Sequence, residues 1–95
     1  MAAFIGFCTI ELQIPASHSL KDKRQVVQSV KARVRNEFNV SISEVDHLDS
    51  WQLATLGVVC VSGRKAYVDG LLERVIHFIE RRPDLILLEY EVELL

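Results

Sequence analysis

Proline occurs twice and glycine four times in this chain of 95 residues. That leaves no linker, repeat or low-complexity tract. Cysteine also occurs twice, and Cys8 and Cys60 stand alone in apolar runs without CxxC spacing, as two buried, reduced thiols would. No apolar run approaches the roughly 18 residues that cross a bilayer, which excludes a membrane-spanning helix. The opening "MAAFIGFCTIEL" has no basic segment and turns to glutamate after ten residues, so it reads as a strand rather than a signal peptide. These absences predict one cytoplasmic domain over residues 1–95, away from any membrane.

What is present is a globular composition, 49% hydrophobic and 25% charged. "AFIGFCTIELQI" (3–14) predicts a strand ended by Pro15. Ser19, with Asp22 three residues on, forms the N-terminal cap of a helix from about Leu20 to Phe38, whose apolar stripe is Leu20, Val27, Val30, Val34 and Phe38. "VSISEVD" (40–46) reads as a short strand with a bulge or an early end near Ser43–Glu44, because Val40 and Ile42 share one face and Val45 the other. "WQLATLGVVCV" (51–61) is a long strand, residues 64–82 an amphipathic helix stopped by Pro83, and "DLILLEYEVEL" a final strand. The order β-α-β-β-α-β predicts an α+β ferredoxin-like sandwich, with four antiparallel strands, the first and third central, and both helices on one face.

That topology gathers "PASHS", "HLDS" and "RRPD" at one end. His18 and the first turn of helix one should therefore lie near Asp46, His47, Asp49 and Trp51. The cluster matches no metal-ligand spacing, and neighbouring lysines and arginine disfavour a cation. Asp46 cannot poise His47 for acid–base work, since adjacent strand residues point to opposite faces. The expected role is a hairpin whose Asp and Ser side chains satisfy turn amides, tied by salt bridges to the basic residues of helix one, with Trp51 covering the end of the sheet. A small-ligand or hydrolase site at Asp46, His47 and Asp49 is the third-ranked reading.

"FIGFCTIEL", "SLKDKR" (19–24), "FNVSISEVDHLDSWQLATLGV" (38–58) and "RRPDLILLEYEVEL" (81–94) together resemble the YlxP-like family of small bacterial proteins, a domain family of unassigned activity. The resemblance covers nearly the whole chain and implies the ferredoxin-like fold and a cytoplasmic location. Family genes commonly neighbour those for translation and ribosome maturation, which implies ribosomal RNA or a ribosome-associated protein as partner. It supplies no catalytic residues and no cofactor.

Charge is segregated. Residues 20–38 hold six bases against two acids, net +4, and residues 64–82 hold five against three, net +2; the strands and loops hold eight acids and no base. Lys21, Lys23, Arg24, Lys31 and Arg35 are the expected contacts to RNA phosphates. On the sheet face away from the helices, Ile5, Phe7, Leu53, Val59 and Val61 are too apolar for a solvated surface and predict a homodimer interface. "LATLGVVC" lacks the aromatic and basic residues of an RNA-recognition motif, so base stacking on this face is not expected. The sequence thus reads as a non-enzymatic RNA-binding accessory of ribosome maturation or translation. A homodimeric protein-binding adaptor is the alternative.

Overall fold

A computed structural model describes residues 2–95. Its elements are β1 (Phe4–Gln13), α1 (Leu20–Glu37), β2 (Ser41–Asp46), β3 (Leu53–Ser62), α2 (Lys65–Glu80) and β4 (Ile86–Leu94). The strands form one antiparallel sheet in the order β2-β3-β1-β4. With both helices on one face, this is the α+β ferredoxin-like arrangement.

Alternation along β1 and β3 decides which side chains enter the core. Cys8, Ile10 and Leu12 pair with Val58, Leu56 and Ala54 across the sheet, and all six are buried. From above, α1 contributes Val27, Val30 and Val34, and α2 contributes Val68, Leu71, Leu72, Val75, Ile76 and Ile79. Gly6 sits where α2 comes closest: a Cβ there would press on Val68 and lie 2.8 Å from Leu72 Cδ1. The Phe38 and Phe78 rings meet edge to face at 5.3 Å, joining the two helices.

The N-terminal cap of α1 combines two local bonds. Ser19 Oγ accepts from the Asp22 amide at 3.0 Å, and Asp22 Oδ2 accepts from the His18 amide at 3.0 Å. The β2–β3 register slips between Glu44 and Asp46, one residue past the expected bulge. Trp51 does not cover the end of the sheet. Its side chain is 59% exposed, and β3 begins two residues later.

Candidate interaction surfaces

The polar end is organised around a buried lysine. Lys23 is fully buried, and its Nζ reaches Glu44 Oε2 at 2.8 Å and the carbonyls of His47, Leu53 and Leu48 at 2.7, 3.2 and 3.4 Å. An ammonium has three protons to donate, and these four acceptors satisfy them. Lys23 therefore leaves the set of expected phosphate contacts: its charge is spent inside the protein, and no backbone phosphate reaches it. The spacing signal was present, since stepping back four residues along the Val27, Val30, Val34 stripe lands on position 23.

The hairpin is shaped to meet this ammonium. His47 adopts φ 61°, a left-handed conformation that non-glycine residues seldom take, and its carbonyl accepts both Lys23 Nζ and the Ser50 amide. Asp46 Oδ1 accepts from the His47 amide at 2.7 Å, and Ser50 Oγ accepts from the Leu53 amide at 3.0 Å. Gln52 binds the carbonyls of Pro15 and Ser17, which ties the β1–α1 loop to the same end. The salt bridge to helix one is thus made by Glu44, not by Asp46 or Asp49.

The His47 ring turns to the outer face, where its Nδ1 lies 3.0 Å from Thr55 Oγ1. Thr55 donates its single hydroxyl proton to Glu11 Oε1 at 2.6 Å, so Nδ1 must be the donor in the first bond. His18, Asp46, His47, Asp49 and Trp51 are all exposed. Among the described residues, no three His, Cys, Asp or Glu side chains gather as metal ligands. The cluster builds a hairpin and joins it to α1.

With Lys23 removed, Lys21, Arg24, Lys31 and Arg35 lie at spacings of three, seven and four along α1. That is one stripe, roughly 110° around the helix from the buried one. Among the described residues, only Lys23 and Arg82 of the eleven Lys and Arg lie within ion-pair distance of a carboxylate. Arg35 is exposed, with Nη2 donating to the Ile42 carbonyl at 3.0 Å and its other donors left over. Where α1 meets the end of α2, Arg33, Phe78, Arg81 and Arg82 line a cleft of about 490 Å³. Arg82 is held there by both oxygens of Asp84, at 3.0 and 2.7 Å, and by Ser29.

On the outer sheet face, Ile5 stands opposite Val61 and Phe7 opposite Val59. Ile5, Val59 and Val61 are 41, 37 and 65% exposed, while Phe7 and Leu53 are half-buried. The expected apolar face is narrower than alternation alone implies, because Phe7 and Val45 close over Gly57. Both thiols are buried; burial pushes Cys8 up to about 11 and raises Cys60 as well, which keeps them protonated. No described helix is long and apolar enough to cross a membrane.

Fold and surfaces define a small α+β ferredoxin-like domain with a basic stripe on α1 and an exposed apolar group on the outer face of the sheet. Comparison places it further. Residues 5–92 match the family described as "Protein of unknown function (DUF503)", and the chain belongs to that family. It is 41% identical over 81 residues to "Uncharacterized protein YlxP" of Bacillus subtilis (strain 168), covering 85% of this chain and 88% of the relative. Among solved structures it is similar to "De novo designed protein Foldit4", with a TM-score of 0.56 and 16% identity over 99% of this chain and 97% of that one. That likeness concerns the fold alone.

Proposed function

We propose that this protein is a non-enzymatic binding module that holds RNA by its phosphate backbone along α1. The observation that supports this is the stripe of Lys21, Arg24 and Arg35, all exposed, and the half-buried Lys31, none of which has a carboxylate partner among the described residues. In a protein of net charge −2, such a stripe is a local positive field on one side of an otherwise acidic surface. Arg33 and Arg81 line the cleft on the other flank of α1, against α2, and form a separate basic group. A cytoplasmic ribosomal RNA is the target that the family resemblance implies, and it belongs to this proposal.

Backbone binding releases counterions, so affinity falls with salt at a log–log slope of about −0.7 per phosphate contact for single strands. Replacing Lys21, Arg24 and Lys31 with Gln is expected to lower affinity for ribosomal RNA and to flatten that slope by about 2 units, with little dependence on RNA sequence. Filter binding or fluorescence anisotropy across a salt series measures both quantities. Equal affinity and slope for the variant and the wild type would remove α1 as the RNA surface.

A second reading is favoured by a separate observation. Ile5 and Val61 are exposed directly across β1 and β3 from each other, and a second copy pairing face to face would cover them.

A further inference from the structure

The two edges of the sheet are guarded differently. β2 is six residues long and mostly polar, its register is broken near Val45, and Arg35 occupies one of its carbonyls. Short length, a bulge and a covering cation are the usual devices that stop an edge from pairing. β4 is longer and has no covering cation among the described residues, and its one register shift, at Leu88, lies near its start. It runs nine residues without Lys or Pro and pairs β1 in unbroken register from Glu89 to Leu94.

The Leu95 amide donates to the Ile5 carbonyl at 2.8 Å, which sets the alternation along β4. Glu89, Glu91 and Glu93 direct their backbone groups to β1, while Tyr90, Val92 and Leu94 direct theirs to the open edge. The side chains divide in the same way. Leu94 pairs with Gly6, which faces α2, so Tyr90, Val92 and Leu94 lie on the helix side. They remain 54, 42 and 39% exposed, although α2 also touches β4. The glutamates line the other face, where Glu89 stands opposite Glu11 and no base is present on any strand.

We propose that β4 is a docking edge that accepts one added β-strand from a partner protein, a strand alternating Lys or Arg with apolar residues. Main-chain bonds to Tyr90, Val92 and Leu94 supply the pairing, and alternate side chains supply the choice of partner. Opposite each glutamate, the incoming residue falls at a non-hydrogen-bonded position, where the two chains approach to about 4.5 Å between Cα atoms and side chains interact most closely. A basic residue there relieves the Glu11–Glu89 juxtaposition. Thr9, Glu11, Glu89 and Glu91 border a recess of about 120 Å³ in which an ammonium fits. Apolar residues opposite Tyr90, Val92 and Leu94 continue the uncovered row.

A second copy of this chain does not fit. Antiparallel β4–β4 pairing with both outer faces aligned sets glutamate against glutamate. The alternative register sets glutamate against the apolar row. Either arrangement is repelled or desolvated, so the charges that block self-pairing select a basic strand.

The test uses the whole protein and a capped octapeptide of alternating lysine and valine, with an alternating glutamate–valine peptide as control. Amide exchange at Tyr90, Val92 and Leu94 is expected to slow on adding the basic peptide and not the acidic one. Val92→Pro deletes one outward amide without removing a β1–β4 bond, and is expected to weaken binding by about tenfold or more. Glu91→Lys is expected to reduce the preference for the basic peptide by a similar factor, and decides the matter if the proline variant fails to fold. Three outcomes overturn the proposal: no binding at millimolar peptide, binding that leaves those three amides unprotected, or self-association of the wild type through β4. Gln substitutions at Lys21, Arg24 and Lys31 should leave peptide binding intact, which separates this edge from the α1 surface.

Discussion

At the scale of single residues, Lys23 does more for this protein than any exposed base. Removing one partner of a buried ion pair strands the other, at a cost of about 3–5 kcal/mol, whereas an exposed charge seldom contributes 0.5 kcal/mol. Lys23→Met keeps the stem and removes the ammonium, taking the Nζ bonds from Glu44 and the Leu53 carbonyl and leaving the His47 carbonyl with the Ser50 amide alone. It is expected to lower unfolding free energy by about 3 kcal/mol, while Lys21→Gln stays near wild type. Urea denaturation of the two variants side by side measures the contrast; equal midpoints would show that the ammonium is replaceable by water. A second residue-scale expectation concerns acid. The Arg82 guanidinium, bonded to Asp84, holds that carboxyl below the usual carboxylate range. The folded state therefore binds the Asp84 proton less tightly than the unfolded chain. This contribution is complete above the unfolded value and is lost as pH falls through the folded one, below about pH 4. The melting temperatures of Asp84→Asn and wild type should differ at pH 7 and converge as acid is added. A constant gap across that range would mean that the pair carries no linkage.

At the scale of elements, most of the fold was legible because β1, β3 and the helices each bury one face. Their periods of two and 3.6 name the core residues without reference to partners. The cap at Ser19 and the stop at Pro83 were equally plain. Lys23 was misplaced because a lysine on an apolar stripe reads as a solvated flank unless the hairpin that meets it is known. Glu44, which completes its environment, is 21 residues away in the chain. The exposed row on β4 escaped for a related reason. Alternation tells which residues share a face, but how far the helices extend over that face depends on packing, and here they leave that row exposed. That packing is set in part by Gly6, where α2 lies against β1. A methyl group there must displace Val68 and Leu72, both fully buried. Gly6→Ala is expected to cost about 1–3 kcal/mol despite the better strand and helix propensity of alanine. Calorimetry checks this, and a gain in stability would mean that α2 shifts outward freely.

At the scale of the whole molecule, the chain measures 48 × 21 × 19 Å, so its faces are long and a contact along any one of them is elongated. The two helices, with Arg64, Arg81 and Arg82 flanking α2, carry every lysine and arginine, and the strands and remaining loops carry eight acids. Two copies therefore cannot stack head to tail on charge alone without blocking the basic stripe. Pairing through the outer sheet face leaves that stripe free on both outward sides. In such a pair Ile5, Phe7, Val59 and Val61 would meet their counterparts, and a stable interface needs roughly 800 Å² from each partner. The four side chains cannot supply that area alone, so Leu53 and Trp51, half-buried and 59% exposed, must contribute toward the hairpin end. Sedimentation at micromolar concentration is expected to give a dimer. Val61→Glu should yield monomers of unchanged fold, because Val61 is 65% exposed in the single chain and a carboxylate there costs little until a second copy buries it. Phe7→Glu should also yield monomers but with a less stable fold, because Phe7 is half-buried and the new carboxylate stands opposite Glu93 in the same sheet. A wild type that sediments as a monomer under these conditions removes the face-to-face dimer, and leaves Ile5, Val59 and Val61 as ordinary exposed side chains of a kind most soluble proteins carry.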